Sequence, residues 1–164
     1  MGAPVDLAAF RAAMARFPGA VTIVTAREGA ERRGITATAV CSVTADPPSL
    51  LVCLNRKTGT CATVAATRRF AVSLLAGDGG ALAMAFAGAT GASGEAKFAT
   101  GDWREDGHGL PFLADAVVSF SCDVTEAVDA GTHTVFIGKI VDIRQGDGPA
   151  LVYEQSRFHR LSPI

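Results

Sequence analysis

Hydroxyl side chains recur at Thr36, Thr38, Ser42 and Thr44 within the run Gly34–Thr44, GITATAVCSVT. In an extended strand residues i, i+2 and i+4 share a face. The run therefore predicts a strand with hydroxyls on one side and Ile35, Ala37, Ala39, Cys41 and Val43 on the other. Such a strand is either half-solvated or a wall for a flat, heteroatom-rich ligand, and threonine is common enough in strands to leave both open. A second polar group follows at Asn55–Thr60, NRKTGT. An amide, two cations, two hydroxyls and a glycine after an apolar run suit a phosphate. Thr58 or Thr60 can cap a following helix whose free N–H groups favour an anion. An ordinary polar turn ending in an N-cap has the same composition.

Other chemistries find little support. Cys41, Cys53, Cys61 and Cys122 form no C-x-x-C pair; Cys41, Cys53 and Cys122 fall in apolar runs and read as small buried hydrophobes. His108, His133 and His159 are far apart and match no metal-binding spacing. No G-x-S-x-G elbow is present. The loop Gly88–Gly94 is rich in glycine but follows a helical segment, so it lacks the strand–turn–helix context of a dinucleotide fingerprint. Asp102 and Glu105 sit in a turn-rich segment and read as solvating charges. What remains suits a bound organic cofactor, which carries the chemistry while the protein holds and orients it.

The elements that must position these groups follow from pattern. Asp6 is a good N-cap for a helix to about Arg16, with Leu7, Phe10, Ala13, Met14 and Phe17 on one face. Ala20–Ala26 reads as a strand, joined through Arg27–Arg33 to the hydroxyl strand as a hairpin. Pro47-Pro48 excludes a central strand, and Leu50–Leu54 reads as a strand buried on both faces. Residues 61–67 form a short helix, 70–75 a strand, and a helix opens near Gly77–Gly80. Val117–Ala127 alternates, Thr134–Arg144 is a long strand, and Ala150–Tyr153 is the last, leaving Phe158 and His159 in the tail. About seven strands and three short helices with hairpin-length connections exclude a parallel βαβ sheet and predict an antiparallel barrel.

A chain of 164 residues fits one domain, and 49% hydrophobic against 19% charged residues marks a folded chain. A net charge of −1 offers no basic surface for nucleic acid or an anionic membrane. No apolar run approaches the roughly 20 residues of a membrane span, and Asp6 and Arg11 interrupt any signal-like stretch, which points to a cytoplasmic protein.

The segments FRAAMARFPGAVTIVTA, GITATAVCSVTADPPSLLVCLNRKTGT, FAVSLLA, LAMAFAG, KF, GTHTVFIGKI and LVYEQSRF run through nearly the whole chain. In this order they resemble the flavin reductase family of two-component flavin-dependent monooxygenases. The resemblance implies a mostly β, antiparallel FMN-binding split barrel with peripheral short α-helices, one domain over residues 1–164. It also implies a homodimer that reduces FMN or FAD with NADH or NADPH and supplies a partner monooxygenase. Carried over by motif, Thr36, Ala37, Thr38 and Ala39 would contact the isoalloxazine edge, with Ser42 and Val43 farther along. Asn55, Arg56, Lys57, Thr58 and Thr60 would hold the ribityl phosphate, and Lys97-Phe98 matches a basic–aromatic pair near the flavin. His133, in Gly131-Thr132-His133 where the family has an acid in the middle, would take the catalytic position facing the nicotinamide. Tyr153 and Phe158 match aromatic positions that close the site. A non-catalytic flavin- or haem-binding split-barrel protein is the alternative.

Overall fold

The computed structural model describes residues 2–164. Helix α1 (Leu7–Met14) starts where its sequence predicts: Asp6 is extended, and its carboxylate accepts the Ala9 N–H at 3.1 Å. The chain continues through β1 (Gly19–Ala20), β2 (Thr22–Glu28), β3 (Glu31–Ala37), β4 (Val40–Ala45) and β5 (Pro48–Asn55). Then come α2 (Gly59–Thr67), β6 (Arg69–Leu74), α3 (Gly80–Phe86) and a 3-10 helix, Gly94–Ala99. The short β7 (Trp103–Glu105) and β8 (Pro111–Leu113) precede two long strands, β9 (Val118–Ala130) and β10 (His133–Gln145). A hairpin of β11 (Leu151–Glu154) and β12 (Arg157–Arg160) ends the chain.

Seven strands form the main sheet in the order β3-β2-β6-β9-β10-β5-β4, every pair antiparallel. Its two edge strands, β3 and β4, are consecutive in the chain and joined by Thr38 and Ala39. The sheet thus curls until its edges meet through a covalent link and not through a hydrogen-bonded ladder, which is an antiparallel split barrel. Register shifts at Ile137/Gly138 and Ile140/Asp142 let the 13-residue strands β9 and β10 bend with the curl. Pro48 enters as the first residue of β5, a place where the missing N–H is tolerated.

One core cluster fills the barrel around Val24, Val52, Leu54, Phe70, Cys122 and Phe136. Gly138 is fixed by this packing: a Cβ there would lie 2.6 Å from the Phe70 ring and 2.8 Å from Cys122 Cβ. A second cluster, with Ile23, Leu75, Phe86, Phe98 and Leu113, seats α3 and the 3-10 helix on the sheet.

Several expectations are corrected. The predicted single strand Gly34–Thr44 is two strands that pair with different neighbours, β3 with β2 and β4 with β5. Thr36 is tied to α3 through Ala83 O whereas Ser42 and Thr44 are exposed with a register shift between them, and Cys41 and Val43, expected on a dry side, are exposed on edge strand β4. Leu50, Val52 and Leu54 are buried, but Leu51 and Cys53 on the opposite face are only partly covered. Strands β7, β8 and β12 are additional; Phe158 and His159 belong to β12 and not to a loose tail. The apolar face of α1 has no cover within the described chain, Phe10 being 53% exposed, and Phe17 just beyond the helix is 70% exposed.

Candidate active site

Three cavities follow the chain from Arg33 to Ala39. The first, ≈ 380 Å³, lies between the start of β3 (Arg33, Gly34, Ile35), the first turn of α2 (Thr58, Gly59, Thr60), and Ser93, Gly94 and Lys97. The second, ≈ 200 Å³, occupies the split itself: Ile35–Ala39 form one wall, Cys53, Leu54 and Asn55 of β5 the other, with His133 of β10 at its end. The third, ≈ 240 Å³, lies across Thr36–Thr38 from the second and is walled by Val21, Ala83, Met84, Ala87, Tyr153 and Phe158.

Local chemistry explains how each group is held. Asn55 ends β5 and folds back, its side-chain oxygen accepting the Lys57 N–H at 2.9 Å. Thr58 donates its hydroxyl to Asn55 O at 2.7 Å and accepts the Cys61 N–H at 3.2 Å, so it caps α2. The amides of Gly59 and Thr60, the first two residues of α2, precede that capped N–H on the cavity side, and such a helix start favours an anion. Thr60 is 3% exposed. Lys97 reaches from the 3-10 helix to Gly34 O (3.2 Å) and Phe86 O (2.9 Å), tying three elements together beside the first cavity. Burial pushes its pKa down.

His133 is opposite Asn55 in the β5–β10 ladder, and its Nδ1 lies 2.8 Å from Thr132 Oγ1. Tyr153 and Phe158 face one another across the β11–β12 ladder with ring centroids 5.3 Å apart. That hairpin turns through Gln155 and Ser156, both in the left-handed region (φ 48° and 61°), and Gln155 N–H donates to Ala15 O beyond α1. Burial, then the neighbouring Cys41, raises the Cys53 pKa, so the thiol on the wall of the second cavity stays protonated at neutral pH.

The structure gathers Thr36, Ala37, Thr38, Ala39, Asn55, Thr58, Thr60, Lys97, His133, Tyr153 and Phe158 along this groove. The Thr36 hydroxyl is committed to Ala83 O at 2.6 Å, so it ties β3 to α3 and does not point a free donor at a ligand. Ser42, Arg56, Lys57 and Phe98 line none of the three cavities. Ser42 is exposed on β4, and Arg56 pairs outward with Asp129 at 3.4 Å. Phe98 backs β3 from the core, 5.1 Å from the Phe86 centroid and 5.0 Å from Trp103. Arg33, Gly34, Gly94 and Met84 join the expected residues along the groove, and Gly59 is the glycine of the expected anion loop. Arg33 stands in β3 immediately before Gly34, a cation on the strand that lines the groove.

Among the described residues no cluster of three or more His, Cys, Asp or Glu side chains could hold a metal ion, and no helix is long and apolar enough to cross a membrane.

Residues 14–162 match the family model for the flavin reductase like domain. Over 156 residues the chain is 44% identical to the 4-hydroxyphenylacetate 3-monooxygenase reductase component of Pseudomonas aeruginosa, covering 93% of this chain and 91% of that protein. It is 42% identical over 154 residues to the FMN reductase (NADH) RutF of Ancylobacter novellus, covering 93% of this chain and 84% of that one. Among solved structures, the Streptomyces globisporus NADH:FAD oxidoreductase SgcE6 in complex with NAD and FAD fragments superposes with a TM-score of 0.87 at 30% identity, over 99% of this chain and 98% of that one.

Proposed function

This chain belongs to the flavin reductase like domain family, and from that membership we infer that it transfers hydride from NADH to FMN or FAD and supplies the reduced flavin to a partner monooxygenase. The observation that carries the reading is the end-to-end likeness to the reductase component of a two-component monooxygenase. The groove fits a flavin by its donor set: an amide-rich helix start for a phosphate, an extended backbone for the polar edge of a flat ring, and aromatic side chains on one side.

A bound flavin supplies the ring that accepts the hydride. The chain's own part is to hold and orient, which lowers the entropic cost of a bimolecular transfer. Thr36–Ala39 would form the wall for the ring, with the alignment of that wall set by the Thr36–Ala83 bond. Thr58 and Thr60 hold the phosphate end. His133, at the end of the second cavity, would contact the nicotinamide nucleotide, and Tyr153 and Phe158, which wall the third, would help close the site. The proposed assembly is a homodimer, supported by the apolar side chains of Leu7, Phe10, Met14 and Phe17 that the single chain leaves open.

The test is loss of NADH absorbance with purified protein, with and without FMN or FAD. Flavin-dependent consumption is expected; no turnover with either flavin would overturn the reading. A His133→Ala variant should keep its flavin affinity and raise the Michaelis constant for NADH; an unchanged constant would remove His133 from the nicotinamide site.

A further inference from the structure

Resting on the flavin reading above, we propose that Arg33 is the cation that recognises the flavin phosphate, exchanging Glu31 for it, and that it makes the protein select phosphorylated flavins over riboflavin. The side chain lies across the first cavity. A Cβ on Gly59, the first residue of α2, would sit 3.4 Å from Arg33 Cδ and Nε; one on Gly94 would sit 2.5 Å from Nη1. The guanidinium therefore spans the gap between the helix start and the 3-10 helix, and both facing positions are glycine. Gly94 also has φ +54°, a conformation other residues rarely take.

The present partner of Arg33 is Glu31, at 2.6 Å, whose side chain is 70% exposed. An ion pair that open to water contributes little and is readily exchanged. The competing cations are already committed or stand elsewhere. Lys97 Nζ donates to Gly34 O and Phe86 O. Arg32 is paired with Glu95 and lies over the Phe98 ring, 4.5 Å from its centroid. Arg56 is held by Asp129, and Lys57 is exposed outside the cavity. Arg33 is thus the guanidinium beside the Gly59 and Thr60 amides, and its planar fork matches two phosphate oxygens while the amides take another.

The experiment is a titration of flavin fluorescence with the full chain, using FMN, FAD and riboflavin as probes, for wild type, Arg33→Gln and Glu31→Gln. Arg33→Gln is expected to weaken FMN and FAD binding about 10- to 100-fold, the range of charge-assisted hydrogen bonds, and to leave riboflavin within about twofold, a change too small to be a lost hydrogen bond. Glu31→Gln, a change on the exposed edge, is expected to tighten FMN by about two- to fivefold by removing the competitor, with riboflavin unchanged. Equal losses for FMN and riboflavin in Arg33→Gln, or no loss for either, would overturn the proposal while wild-type binding and NADH turnover left the reductase reading standing. Should Arg33→Gln fail to fold by circular dichroism, Glu31→Gln decides: unchanged FMN affinity overturns the exchange. A wild type that neither binds nor reduces any of these flavins overturns both readings.

Discussion

Asp106 anchors the turn between β7 and β8. One carboxylate oxygen accepts the N–H groups of His108 (2.8 Å) and Leu110 (2.9 Å), and the other accepts the Ser121 hydroxyl at 2.7 Å. Burial works against the carboxylate, but these bonds and nearby Arg144 more than offset it and hold the pKa below the ordinary 3.8. A lowered folded-state value means the stabilisation is present above about pH 4 and is lost as pH falls through the folded pKa. Urea unfolding of the wild type should accordingly weaken below about pH 4. Asp106→Asn, which can accept both N–H groups and donate to Ser121, should keep most neutral-pH stability and show a shallower acid decline. Asp106→Ala should cost about 1–3 kcal/mol at neutral pH by leaving its partners unsatisfied. Thr58→Ala removes the α2 cap and should cost about 1 kcal/mol in the same assay.

Among the elements, the β11–β12 hairpin shows a local conflict between sequence and conformation. Gln155 and Ser156 both occupy the left-handed region without being glycine, which suits Asn-Gly far better. Replacing the pair by Asn-Gly should stabilise by about 1 kcal/mol, read as a rise in Tm of roughly 2–4 °C for a chain of this size. Gly138→Ala should do the opposite, costing about 1–3 kcal/mol through the clash with Phe70 and Cys122. Elements were legible where a local signal exists: the Asp6 cap, the β2–β3 hairpin, the alternation of β9. The break at Thr38–Ala39 was not, because strand propensity continues across it; only the change of partner from β2 to β5 ends one strand and begins another. The same holds for the site. The composition of Asn55–Thr60 suggests an anion site, and the fold sets its Thr58 and Thr60 on the first cavity; the place of Phe98 behind Gly34, lining none of the three cavities, has no signal in the sequence. Arg33 gained its position from the third dimension, across from two glycines distant in sequence.

At the scale of the whole molecule, the uncovered face of α1 carries the assembly prediction. Leu7, Phe10, Met14 and Phe17 are about half or more exposed, and apolar surface grouped in this way favours association. Sedimentation should give a dimer for the wild type and a larger monomer fraction for Phe10→Glu with Phe17→Glu. The opening between the barrel's edges has a different consequence. Thr36, Ala37 and Thr38 border both the second and the third cavity, so a single thickness of chain is the partition between two chambers. Whatever displaces that partition from one side is felt on the other. Linkage makes the effect mutual: if an occupant of the His133 chamber alters affinity in the Tyr153–Phe158 chamber by some factor, the second occupant alters the first by the same factor. A substitution on the partition, such as Ala37→Val, therefore acts on two equilibria at once, and its two binding constants have to be measured together.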